Sequence, residues 1–155
     1  MTTNTPGAPE GLPHRKNFVV DASVFVSVFA EADTHHSASR AFFHLLEEQS
    51  KNVAVIVSAI TLLETANVLS RYGRLAAVDQ ALAHARSFLL IAADQSFIEQ
   101  AVPYFGLMRL KTADAVIAAC AALHDATLIT WDMQLLREAR KITRAETPKA
   151  VLIES

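Results

Sequence analysis

The stretch FVVDASVFV, residues 18–26, holds one aspartate inside an otherwise apolar run. An unpaired carboxylate buried among apolar groups costs roughly several kcal/mol, or gives up its charge by taking a proton. Asp21 must therefore sit where the run opens to a cleft, or meet a compensating charge. Strands disfavour Asp, so the short β-rich piece NFVV (17–20) is read as a strand that ends there. The following ASVFVSVFAEA is either a helix or a further extended segment, because its β-branched content blurs the period.

Outward from this stretch, short apolar runs alternate with helical patterns. VAVIV (53–57), FLLIA (88–92), ATLIT (126–130) and AVLI (150–153) read as the remaining strands. VAVIV is apolar throughout, as expected of a strand covered on both faces. Helical spacing runs through HHSASRAFFHLLEEQ (35–49) and through SAITLLETANVLSRYG (58–73), which Gly73 stops. AAVDQALAHARSF continues in helix, and SFIEQAVPYFGLM is helical with interruptions expected at Pro103 and Gly106. TADAVIAACAALHD (112–125) and MQLLREAR complete the set. Such alternation predicts an α/β domain on a parallel sheet. In these sheets functional groups gather beyond the carboxyl ends of the strands. Asp21 stands at such an end, so its carboxylate is expected to face a cleft.

The chain of 155 residues is 52% hydrophobic and 19% charged, with only four glycines and five prolines. That describes one apolar globular domain, expected over residues 17–155, rather than a disordered chain. Residues 1–16, MTTNTPGAPEGLPHRK, read as a flexible tail without the charged start and apolar centre of a signal peptide. No apolar run reaches the ~18 residues that a membrane helix needs. The single cysteine, Cys120, lies in AVIAACAAL and reads as a small core residue. One thiol builds no disulfide framework, which suits a reducing cytoplasm. The net charge of −2 offers no broad basic face for a polyanion. A local patch or a metal would have to hold one.

Further acids occupy positions comparable to that of Asp21. Asp132 follows the fourth strand in LITWD, and Asp114 lies in the first turn of TADAVIAA, two residues after Thr112 as the expected cap. Glu64, in LLETAN, shares a helical face with Asn67 and Arg71. Each also has a plain structural role. Asp132 suits the N-cap of MQLLREAR, Asp114 complements a helix dipole, and Glu64 could be an ordinary helix acid. Ser23 and Thr130 suit strand-end turns as well as hydrogen bonds to the acids. Arg71, Arg74, Arg109 and Lys111 are candidate phosphate contacts, each also explicable as a solvated helix end. His35 and His36, adjacent at a helix start, point in different directions and read as surface residues. Trp131 reads as a packing residue before a base-stacking one.

Taken together, strand-D-A-S-apolar around Asp21, LLETANVLSR around Glu64, and LKTADAVIAACAALHDATLITWD spanning Asp114 and Asp132 resemble a PIN domain. More narrowly, the chain is similar to the single-domain toxins of the VapC type in bacterial toxin–antitoxin pairs. The resemblance covers roughly residues 17–140, with all four acids in order. It implies an α/β/α fold on a five-stranded parallel sheet of order 3-2-1-4-5, and a ribonuclease dependent on Mg²⁺ or Mn²⁺. Carried over residue by residue, Asp21, Glu64, Asp114 and Asp132 take the acid positions, with Asp21, Asp114 and Asp132 as metal ligands. Ser23 takes the small polar position after the first Asp and Thr130 the one before the last; Asn67, on the helical face of Glu64, is a further supporting candidate. A cognate antitoxin, a homodimer and an RNA substrate are the implied partners. The longer tail and the weakly acidic charge depart from the usual toxin.

The chemistry of the acids agrees with that implication. Crowded carboxylates repel one another unless protons or a cation intervene. An all-oxygen set without His or Cys suits Mg²⁺ or Mn²⁺ better than zinc. Receiver-type phosphorylation modules share the alternating layout, but AVLIES offers no lysine where they need one. Haloacid dehalogenase phosphatases need a second aspartate where this chain has Ser23. The remaining alternative is the same fold kept as a catalytically silent binding module or scaffold.

Overall fold

The computed structural model describes residues 15–155. The tail expected over residues 1–16 lies outside the described residues, save Arg15 and Lys16. These two are already tied to the neighbouring turn: Arg15 Nε donates to the Lys51 carbonyl at 3.3 Å and Lys16 N to that of Asn52 at 2.9 Å. β1 (Lys16–Val20) starts one residue earlier than expected and forms the centre of the sheet.

The strands β1, β2 (Val53–Ser58), β3 (Leu89–Ile91), β4 (Thr127–Ile129) and β5 (Ala145–Glu146) pair in parallel in the order β3-β2-β1-β4-β5. β1 lies between β2 and β4, with Phe18 opposite both Val55 and Thr127. Alternate side chains of a strand point to opposite faces, and here both faces are covered. Phe18 and Val20 join Val57, Ile129, Phe25 and Phe42 in one core; Val19 joins Ile56, Leu128 and Ile117 in the other. The helix α6 (Thr112–Leu123) lies in the second core, and α1 (Ala22–Phe29) and α2 (His36–Glu48) lie in the first. This is the three-layer α/β/α arrangement.

The ambiguous segment after Asp21 is helical. Asp21 caps α1, its side chain accepting Ser23 N, and Ala22, Val24, Phe25 and Ser27 are buried. Burial on this scale outweighs the modest helix propensity of β-branched residues. Downstream run α3 (Ala59–Arg71), α4 (Leu75–Ala85), α5 (Gln95–Phe105) and α7 (Met133–Ala139). Gly73, at φ +67°, ends the turn after α3 in the left-handed region that glycine adopts without strain.

Three local expectations are corrected. Residues 150–153 are not a strand: they belong to α8 (Pro148–Glu154), which Thr147 caps by accepting Ala150 N at 3.2 Å. Pro148 at the first helical position presets φ for that start, and the fifth strand lies upstream, at Ala145–Glu146. Pro103 does not interrupt α5, which runs to Phe105. Pro103 and Glu99 are both exposed, so water can satisfy the carbonyl that proline leaves unpaired. Lys111, not Thr112, occupies the N-cap position of α6, without a side-chain bond. Among the described residues, no helix is long and apolar enough to cross a membrane.

Candidate active site

Strand pairing sets the first part of the site. Asp21 N donates to the Ile129 carbonyl at 2.9 Å, so the ends of β1 and β4 finish side by side. Asp21 and Thr130 are thereby neighbours although far apart in sequence. Asp21 is only 5% exposed, and its Oδ2 accepts from Thr130 Oγ1 at 2.8 Å, Ser23 Oγ at 2.7 Å and Ser23 N at 3.3 Å. These donors answer much of the burial cost raised by the sequence, since hydrogen bonds to a carboxylate offset its desolvation. The same hydroxyls bind the following turn. Ser23 Oγ accepts Trp131 N at 3.0 Å, and Thr130 Oγ1 accepts Asp132 N at 2.9 Å. Both hydroxyl protons go to Asp21, so the 3.3 Å approach of Ser23 Oγ to Thr130 Oγ1 is a packing contact.

Asp132 is the N-cap of α7. Its Oδ1 accepts Gln134 N at 2.8 Å and Leu135 N at 2.9 Å. Capping uses one carboxylate oxygen and leaves the other available. Among the described residues, neither Asp132 Oδ2 nor Asp21 Oδ1 receives a protein hydrogen bond.

Glu64 and Asp114 close the cleft from α3 and α6. Asp21, Glu64, Asn67, Asp114 and Asp132 line one cavity of about 430 Å³. Burial lifts the Glu64 carboxyl above its usual range, and the charges of Asp21 and Asp114 lift it further. Burial likewise lifts Asp114, assisted by Asp21 and Asp132 and opposed by Lys111. The acids thus feel one another, as the sequence reading required. Among the described residues, no three acidic, histidine or cysteine side chains stand close enough together to form a ready-made metal site. The four acids offer oxygen donors only, which fits a hard divalent ion that keeps several waters. A larger groove of about 770 Å³ between α1, α2 and α4 holds Glu47 but none of these acids.

The basic candidates stand apart from this wall. Arg74 Nη1 donates to the Phe29 carbonyl at 3.1 Å, and Arg71 is exposed in the last turn of α3. Arg109 and Lys111 are exposed on the approach to α6, and only the Lys111 charge acts on Asp114.

One acid in the cleft was not singled out by the sequence: Asp33 adds a fifth carboxylate to the lining. His35, half-buried at the surface, faces the same cleft. Asp33 Oδ1 accepts His35 N at 2.7 Å, a side-chain turn that folds the loop between α1 and α2. His35 then stacks on Trp131, ring centroids 3.9 Å apart and planes 11° from parallel. His36 turns the other way, its Nδ1 lying 2.9 Å from the Ser27 carbonyl. The Asp33-Thr34-His35 spacing before a helix was the signal available. Trp131 packs as expected, its Nε1 donating to buried Ser39 Oγ at 2.8 Å.

A family model described as PIN domain matches residues 18–141. Solved structures share the fold at low identity. VapBC2 from Rickettsia felis, bound to a DNA fragment from its promoter, is 20% identical with a TM-score of 0.62, covering 84% of this chain and 98% of that one. VapC20 of Mycobacterium tuberculosis, described as a sarcin–ricin loop cleaving toxin, is 19% identical with a TM-score of 0.63, covering 77% and 93%. A toxin–antitoxin complex from Klebsiella pneumoniae is 23% identical with a TM-score of 0.61, covering 84% and 96%. No curated protein matches the chain.

Proposed function

Because this chain belongs to the PIN domain family, the match spanning residues 18–141, we propose that it is a divalent-metal-dependent endoribonuclease and the toxin of a toxin–antitoxin pair. The observation that carries this reading is the convergence of Asp21, Glu64, Asp114 and Asp132 on one cleft at the strand ends. Asp21, Asp114 and Asp132 would hold Mg²⁺ or Mn²⁺. Bound there, the ion would neutralise the acids, make a water more acidic and stabilise charge on the leaving oxygen.

The chain's own groups do the rest. Ser23 and Thr130 orient Asp21 by fixing Oδ2, and Asp132 is oriented by its capping bonds. Glu64 aims the attacking water through its carboxylate oxygens and takes its proton. Asn67 shares the same wall and supplies a neutral hydrogen-bonding group. Lys111 is the favoured phosphate contact, since its charge reaches Asp114.

The neighbouring structure described as a toxin–antitoxin complex supports a cognate antitoxin for this chain too. Its inhibitory segment would place a basic side chain among the acids. Exposed Leu63, Tyr72 and Leu75 on and after α3 support a homodimer, which sedimentation would detect.

The deciding experiment incubates the purified chain with labelled structured RNA in Mg²⁺, Mn²⁺ or EDTA, beside Asp21→Asn. Cleavage only by the wild type, and only with metal, is expected. Metal-dependent binding of RNA without any cleavage would instead favour a silent scaffold.

A further inference from the structure

We propose that the stacked pair His35–Trp131 is a platform for one unpaired nucleobase beside the acid cleft. The proposal deepens the nuclease reading and rests on it. Its starting point is electrostatic. The chain carries a net charge of −2, and Asp21, Asp33, Glu64, Asp114 and Asp132 all line this cavity. Such a surface repels phosphate, so affinity for a nucleic acid must draw on contacts that need no positive charge. Stacking on a base is the strongest of these, and it is open only to bases whose faces are free.

The pair is built to stack. The His35 imidazole lies 3.9 Å from the Trp131 indole, at 11° to it. Trp131 is held at both ends, its backbone N on Ser23 Oγ at 3.0 Å and its Nε1 on Ser39 Oγ at 2.8 Å. His35 is held by Asp33 Oδ1, 2.7 Å from its backbone N. The indole is fixed by its Nε1 bond and the imidazole lies stacked on it above a backbone held by Asp33, so a base docking there orders little further. Only one face of the imidazole is taken by the indole, and the part-exposed ring fronts the cleft.

Position gives the platform its meaning. Ser23 Oγ binds both Asp21 Oδ2 and Trp131 N, so one hydroxyl ties the platform to the buried acid. Trp131 is also the residue immediately before Asp132. A base stacked on His35 would therefore set the register of the strand whose phosphate enters among the carboxylates. The substrate class is single-stranded RNA, or a loop with one base turned out, and not a continuous duplex.

The test measures binding of a short single-stranded oligoribonucleotide to the full chain in EDTA with a non-cleaving divalent ion, Ca²⁺, restored. Trp131 is the only tryptophan, so its emission reports on the platform. We expect His35→Ala to weaken binding about tenfold and His35→Phe to restore it to within about twofold, on the scale known for base–aromatic stacking. A strand made abasic at successive positions should lose its sensitivity to His35→Ala at one position only. Equal binding of the intact strand by wild type and His35→Ala, in a chain that still cleaves RNA with metal, overturns the platform alone. Equal binding of a matching duplex overturns it as well. A chain that neither binds nor cleaves RNA overturns the nuclease reading together with the platform.

Discussion

Replacing Thr130 by valine tests the site at its most constrained point. Thr130 is fully buried, and its hydroxyl donates to Asp21 Oδ2 at 2.8 Å while accepting Asp132 N at 2.9 Å. Valine has nearly the same shape, so packing is kept and only these bonds are lost. Leaving the Asp132 N–H without a partner costs about 1–3 kcal/mol, and a hydrogen bond to a carboxylate contributes about 1.5–3 kcal/mol. The losses share one atom and are not additive, so about 3 kcal/mol in total is expected. For a chain of this size that lowers the melting temperature by about 6–12 °C. Calorimetry in EDTA, beside urea unfolding, would measure the loss without contribution from metal. Ser23→Ala is the control. Its hydroxyl makes comparable bonds in a less buried place, where water can substitute, so about 1 kcal/mol is expected there. Thr130→Val should also weaken Mn²⁺ binding by about 10–100-fold, because groups that orient ligands commonly matter that much. A Thr130→Val chain within about 1 kcal/mol of wild type, with unchanged Mn²⁺ affinity, would refute the claim that this hydroxyl organises the acids.

Other outcomes follow from the same geometry. Glu64 and Asp114 have carboxyls raised above their usual range. Their contribution to stability is therefore full below the ordinary carboxyl range and is lost as pH rises through the raised values. Urea unfolding of the metal-free chain across mildly acidic pH should show this decline, and Glu64→Gln should make it shallower; an unchanged slope would sink the assignment. Glu138 is the opposite case. Its carboxyl is lowered first by the hydrogen bond from Lys141 and then by that from the Arg109 amide, so its contribution is lost as pH falls through the depressed value. Glu138→Ala should speed hydrogen exchange at the Arg109 amide, whose acceptor is Glu138 Oε2 at 2.8 Å; retained protection would show that the loop before α6 is held by other contacts.

Much of this protein was legible without coordinates. Hydrophobic period and length alone separate strands from helices, so the α/β class and the first four strands follow from the sequence. The four acids were visible because carboxylates at strand ends and on apolar helices stand out against their surroundings. Both features depend on residues close together in the chain. The misread pieces show where local information gives out. AVLI has the composition of a strand, yet Thr147 and Pro148 start a helix there and the sheet edge ends at Glu146. ASVFVSVF has β-branched content, yet burial of its inner face makes it helical.

Tertiary structure alone decided which groups meet. Whether Thr130 reaches Asp21 depends on β1 pairing with β4 across more than a hundred residues, at 2.8 Å in the folded chain. The loop that lays His35 on Trp131 is set by an Asp33 side chain bonding a backbone N–H, while Ser39 on α2 fixes the far end of the indole. Periodicity carries no trace of such contacts, because it records which face of an element is buried and not which partner covers it. The shared field of the acids has the same origin. Each carboxylate is ordinary in its own segment; burial in the folded chain, and then the charges of the neighbouring acids, raise the proton affinity of Glu64 and Asp114.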